Sequence, residues 1–224
     1  MLKADTTCKC RNWIDYAESM RHMSPVLSVL SLAALIGVEL LAQAVQSPQQ
    51  LFEAGQNDKA MAAIAQQRSN GEAGPGQAYL AGQILLKGNQ TDAARSEFQT
   101  LAQAEGAWKL IGESALASLD GDNVRALDAA VQAVNASPDH FEAQYQLGTV
   151  RARQGDWGGS AAAFERATQM NATFAYAHYF AAQAFSKANR IDRAAEFFER
   201  FLKLAPAAPE RAAVESVMRT LRGR

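Results

Sequence analysis

The sequence predicts an all-α fold: a solenoid of stacked helical hairpins with a capping helix at its C-terminal end. Three observations lead there. A shift of thirty-four residues brings Gly121 onto Gly155 and Asn189, each able to take the left-handed backbone of a tight turn. The same shift aligns small residues, Ala126 with Ser160 and Ala194, and larger apolar ones, Phe164 with Phe198. Between these marks the apolar residues recur at helical spacing, so each period holds two amphipathic helices. A single hairpin cannot bury its own apolar face, and stacking copies makes one continuous core.

The elements follow in chain order. Residues 1–22 are mixed in charge and too long for an ordinary leader, and Met20 and Met23 are alternative starts, so this stretch is read as non-native or mis-annotated. Pro25 to Val38 is an apolar run of signal-peptide length, preceded by Arg21 and followed by Ala42-Gln43-Ala44, a small-x-small pattern. Residues 23–44 are therefore read as a signal peptide cut after Ala44, giving a periplasmic or secreted chain. The rival reading is an uncleaved anchor in the inner membrane over 25–45, roughly the twenty residues a bilayer needs; Glu39 counts against it.

Residues 45–73 form a degenerate first hairpin retaining Leu51, Gly55, Ala60 and Ile64, and Ser69 to Gly76 is a loop. Residues 74–106 are degenerate too, with Gly88-Asn89, Ala93 and Phe98 and a one-residue slip in the second helix. Three clearer copies follow over 107–140, 141–174 and 175–208. Small Gly148, Ser160, Ala167 and Ala194 let paired helices approach, and Leu147, Phe164, Phe185 and Phe198 fill the wedges between pairs. Pro138 and Pro206 end second helices. Residues 209–224 read as the cap: Pro209-Glu210 suits a helix start, Val214, Val217, Met218 and Leu221 share a face, Glu215 can pair with Arg219, and Gly223 lies past the end.

These residues resemble the tetratricopeptide-repeat (TPR) family. Residues 141–174 carry the resemblance best through Leu147-Gly148, Gly155-Asp156-Trp157, Ser160, Phe164 and Ala167. Residues 175–208 carry it through Ala182, Phe185, Ala194, Phe198 and Pro206, and 107–140 through Ser114, Gly121-Asp122, Ala126, Ala133 and Pro138. Arg151 stands where the family has an aromatic and Phe201 where it has a small residue. The resemblance implies a right-handed α-solenoid whose first helices line a concave groove for protein or peptide segments. Carried over, that groove presents Trp108, Ile111, Tyr145, Thr149, Arg153, Tyr176, Tyr179, Gln183 and Lys187 as partner-binding residues. Equally, Tyr145 and Tyr179 fit simple packing between adjacent repeats. Relatives that clamp a C-terminal carboxylate use lysine and asparagine at positions held here by Ile111, Ala115, Tyr145, Thr149, Tyr179 and Gln183, which disfavours that ligand.

Composition and motifs narrow the function class. Net charge is −1, with no basic surplus for nucleic acid. Charge is uneven along the chain. Residues 45–139 hold six basic and eleven acidic side chains, a net −5; residues 140–224 hold twelve and eight, a net +4. Cys8 and Cys10 alone make a poor metal site, and HExxH, Gly-x-Ser-x-Gly and phosphate-loop patterns are absent from the sequence. His178, among Tyr176, Tyr179 and Phe180, reads as packing or groove polarity. The expectation is a non-catalytic scaffold without cofactor or metal, serving assembly or regulation of an envelope complex; the alternative is a membrane-tethered assembly factor.

Overall fold

The computed structural model describes residues 46–222. The leader over 1–22, the signal peptide over 23–44 with its cut after Ala44, Cys8, Cys10 and Gly223 lie outside them.

The described residues form eleven helices and no strand. They run as five hairpins: α1 (Pro48–Glu53) with α2 (Asn57–Ser69), α3 (Pro75–Lys87) with α4 (Thr91–Ala102), and α5 (Ala107–Leu119) with α6 (Asn123–Ala136). Then come α7 (Phe141–Arg153) with α8 (Trp157–Met170) and α9 (Ala175–Lys187) with α10 (Ile191–Leu204), and α11 (Arg211–Arg222) closes the stack. This is the α-solenoid of stacked helical hairpins that the repeat pattern predicts.

Each hairpin turns on one residue of positive φ. Gly55, Gly121 and Gly155 sit at +73°, +75° and +77°, and Asn89 and Asn189 both at +57°. Asparagine tolerates this region better than other side chains, which explains its alternation with glycine at one structural position. In the second hairpin the turn residue is Asn89, while Gly88 keeps an ordinary φ of −82°. Asp122 and Asp156 then cap the next helices, accepting from the amides of Arg125 at 3.1 Å and Gly159 at 2.8 Å.

Within hairpins the helices touch where side chains are small. A Cβ on Gly82 or Gly148 would strike the rings of Phe98 and Phe164 at 2.3 and 2.9 Å. A hydroxyl marks the same approach in two repeats, from opposite helices. Ser114 of α5 donates to the Ala126 carbonyl, and Ser160 of α8 donates to the Gly148 carbonyl, both at 2.8 Å. Each buried hydroxyl is satisfied, so polarity at the seam carries no desolvation penalty. Phe164, Phe185 and Phe198 are buried in the wedges, and one apolar core runs from Leu51 to Met218.

The capping helix differs from its sequence reading in three details. It begins at Arg211, with Glu210 just before it: the Glu210 carbonyl accepts from the Val214 amide at 2.9 Å, and its carboxylate reaches Lys87 and Tyr176. Glu215 pairs with Arg211 at 2.9 Å, one turn before it, where Arg219 was expected. Val214 and Met218 face the core, whereas Val217 points outward and is 40% exposed.

Close approach makes an asymmetric prediction. A Cβ on Gly112 would meet the backbone nitrogen of Ala102 at 2.5 Å, and backbone cannot yield as a side-chain tip does. Gly112→Ala is expected to destabilise by about 1–3 kcal/mol despite alanine's better helix propensity. Gly158, also helical, has nothing within 4 Å of its Cβ position, so Gly158→Ala should stabilise by up to about 1 kcal/mol. Urea midpoints moving in opposite directions would bear this out; a rise for Gly112→Ala would not.

Candidate protein-binding groove

The first helices α3, α5, α7 and α9 supply the inner wall, and its chemistry is aromatic. Tyr79, Phe141, Tyr145, Phe174, Tyr176 and Phe180 form a connected set of rings, with Tyr145 within 6.4 Å of Tyr79, Phe141, Phe174 and Phe180. Tyr176 lies 6.2 Å from Phe180. Beneath them runs a chain of satisfied polar groups. The Tyr79 hydroxyl donates to Gln146 Oε1 at 3.0 Å, and Gln146 Nε2 donates to Ser114 Oγ at 3.1 Å. Second, third and fourth hairpins are thereby joined on the inside of the curve. Burial raises the Tyr79 and Tyr145 phenols far above their ordinary value, so both stay neutral.

Much of this wall is covered by the chain itself. Phe52 of α1 packs on Tyr176 with ring centroids 4.8 Å apart. Glu53, only 6% exposed, accepts a hydrogen bond at 2.7 Å from the amide of Ala175, the first residue of α9. Phe174 at the N-cap of α9 has no side-chain oxygen to offer, so a carboxylate 122 residues away does the capping. Lys87, at the end of α3, donates to the Tyr176 hydroxyl and to Glu210 at 2.8 Å, with its ammonium 4.3 Å from the Tyr176 ring centroid. Tyr176 in turn donates to Glu210 Oε2 at 3.0 Å. Gly55 completes the junction, its Cβ position only 2.5 Å from Pro209.

This junction sets charges in opposite directions. Burial pushes the Glu53 carboxyl up to about 7, partly offset by the Ala175 amide and Gln49. For Glu210 burial works upward as well, but the hydrogen bonds from Lys87 and Tyr176 outweigh it and hold the carboxyl below its ordinary range. The Tyr176 phenol is raised by burial and by Glu210.

A cleft of about 310 Å³ opens between α3, α7, α8 and α9. Tyr145, Phe164 and Phe180 make its floor, and Thr149, Arg153 and Gln183 its rim. Four of the residues expected to bind a partner are thus brought together: Tyr145, Thr149, Arg153 and Gln183. The others are placed elsewhere. Ile111 and Tyr176 are 0% and 2% exposed, within the core and under α1, and Tyr145 itself is 3% exposed. Trp108 is half-buried edge-on to His140 at 4.4 Å. Tyr179 is half-buried, 5.1 Å from Phe201, and Lys187 is exposed past the cleft. His178 is buried, with Nε2 3.0 Å from the Ala172 carbonyl and its basicity lowered by burial, which places it in packing.

Sequence reasoning missed Phe52, Glu53 and Lys87 because their hairpins were read as degenerate, and it assigned Glu210 only to a helix start.

A tetratricopeptide-repeat family model matches residues 119–173 and 145–209. Together the two matches span residues 119–209. Among solved structures the chain is similar to a thermophilic TPR protein of Thermus thermophilus, at 17% identity and a TM-score of 0.56, covering 79% of this chain and 96% of that one. It is also similar to a MamA RS-1 ArsTM double mutant at 17% identity and 0.50, covering 67% and 84%. A third likeness is the first TPR of Spaghetti (RPAP3) bound to HSP90 peptide SRMEEVD, at 17% identity and 0.48, covering 52% and 90%. At these identities the first two likenesses show the fold alone. No curated protein matches the sequence. No enzyme family is indicated, and among the described residues no group of three His, Cys, Asp or Glu side chains could hold a metal ion.

Glu53 makes the stability of these repeats pH-dependent. The unfolded chain loses this proton near 4.5, while the folded chain keeps it until about 7, so stability falls as pH rises across that window. The loss is on the order of 3 kcal/mol at full extent. Glu53→Gln keeps an acceptor for Ala175 without the charge. Urea unfolding should therefore find it equal to the native chain near pH 4 and increasingly more stable up to pH 7, with the difference constant above. Parallel curves would contradict the assignment.

Proposed function

We propose that the protein is a non-catalytic TPR scaffold that holds a segment of another protein in the cleft between α3, α7, α8 and α9. The observation that carries this reading is the cleft itself: an aromatic floor of Tyr145, Phe164 and Phe180 beneath a rim of Thr149, Arg153 and Gln183. Half-buried Phe180 offers stiff apolar contact area, backed by the nearly covered rings of Tyr145 and Phe164, and the rim supplies directional hydrogen bonds to a peptide backbone or a carboxylate. Arg153 spends one N–H on the Ser118 carbonyl at 2.7 Å, which fixes its guanidinium and leaves other donors toward the rim.

The same proposal places the scaffold in a bacterial envelope, in assembly or regulation of a larger complex. Support for that location comes from the sequence of residues 25–44 alone: an apolar run followed by Ala42-Gln43-Ala44. Among the described residues no helix is long and apolar enough to cross a membrane.

A test must use residues whose loss leaves the repeats intact. Tyr145 is unsuitable, since truncating a buried aromatic costs roughly 3–5 kcal/mol. Arg153 and Gln183 are exposed. The double variant Arg153→Ala/Gln183→Ala is expected to lose at least tenfold in capture of the partner from cell-envelope extract while melting with the native chain. Undiminished capture would remove the cleft from consideration.

A further inference from the structure

The contacts of α1 describe more than a packed terminus. Phe52 and Glu53 are adjacent residues that serve two neighbouring features of one wall: an aromatic face and an uncapped helix start. Phe52 lies on Tyr176 at 4.8 Å, and Glu53 takes the Ala175 amide at 2.7 Å. The seat is continuous with the open cleft, because Tyr176 is 6.2 Å from Phe180, and Phe180 lies on the cleft floor. A segment entering the cleft and extending along α9 toward its N-terminus would meet Phe52 first.

We propose that Ser47–Gly55 is a displaceable occupant of the groove, and that the partner segment it stands in for presents an aromatic residue followed directly by a carboxylate. This rests on the reading of the cleft as a protein-binding site and adds to it the chemistry of the ligand and its competitor. Several features fit a seat that can be vacated. The segment is a six-residue helix followed by Ala54 and then Gly55 at φ +73°. The seat buries an acid whose charge is disfavoured there, so the occupant is held less tightly than its shape alone allows. The ion pair of Lys87 with Glu210, and the hydrogen bonds both make to the Tyr176 hydroxyl, involve no atom of Ser47–Gly55, so the wall keeps these contacts when the segment leaves. The ammonium of Lys87, 5.3 Å from the Phe52 ring centroid as well as 4.3 Å from that of Tyr176, favours an aromatic at this position over an aliphatic one.

The test uses the full chain and a fluorescent synthetic peptide copying residues 46–57. In the double variant Phe52→Ala/Glu53→Ala the seat is empty, so this variant should bind the peptide at least tenfold tighter than the native chain does. A peptide with alanine in place of either the phenylalanine or the glutamate should lose at least tenfold in affinity for the variant. Hydrogen exchange at the amides of 175–178 reports the seat independently: faster in the double variant than in the native chain, and slowed again by the native peptide. Equal binding to native and variant chains would overturn the proposal, as would no binding to a variant whose 175–178 amides have become fast. Should the double variant lose its helical spectrum, Phe52→Ala alone is measured in the same way, and unfolding of that variant also would show a structural element and no displaceable occupant. Because the peptide test does not alter Arg153 or Gln183, the two readings fail separately. Peptide binding without partner capture would sink the cleft's function alone, and capture without peptide competition would sink the occupant alone.

Discussion

The junction of α1 and α3 with α9 and the turn before α11 is the constraint on which the character of this molecule depends. Repeats stacked by local contacts alone leave an inner wall exposed. Here Lys87, Tyr176 and Glu210 tie the second hairpin to the last, and Phe52 and Glu53 tie the first hairpin to the same place. Apolar and polar effects are set against each other there. Aromatic stacking beyond simple burial is worth about 1 kcal/mol, and a half-buried ion pair adds a similar amount. A buried carboxylate raised to about 7 opposes them at neutral pH. The closure is therefore modest in strength, which suits a wall that must be both protected and usable.

The hairpin seam works on a different principle. Backbone approach between paired helices is set by glycine, alanine and serine, and the flanking aromatics fill the space that approach leaves. Ser114 and Ser160 show that the requirement is geometric: a small side chain on either helix serves, and where it carries a hydroxyl the opposite carbonyl accepts from it. Such seams repeat because each is made from neighbours in sequence. The closing junction occurs once, because it joins residues 122 and 89 positions apart.

That difference accounts for what the sequence revealed. Turn residues, seam residues and wedge aromatics were legible because they recur at a fixed offset, and Gly121, Gly155 and Asn189 take the left-handed backbone the alignment required of them. The cleft was half legible: Tyr145, Thr149, Arg153 and Gln183 follow from register within a family, while Gln83, Phe164 and Phe180 enter through curvature. Tyr176 and Ile111 were placed on an open face because one repeat's register does not report how sharply the stack bends. Phe52, Glu53 and Lys87 carry no periodic signal at all. Their role follows from a contact between distant hairpins, which neither propensity nor spacing encodes.

Closure of the groove by the chain's own first hairpin is most directly tested by a distance. With Cys8 and Cys10 replaced by serine, spin labels at exposed Asp58 and Ala207 report the separation of the first and last hairpins by pulsed electron resonance. The account predicts a short, narrow distribution in the native chain that broadens to longer distances in Phe52→Ala/Lys87→Ala. A broad, long distribution already present in the native chain would contradict it.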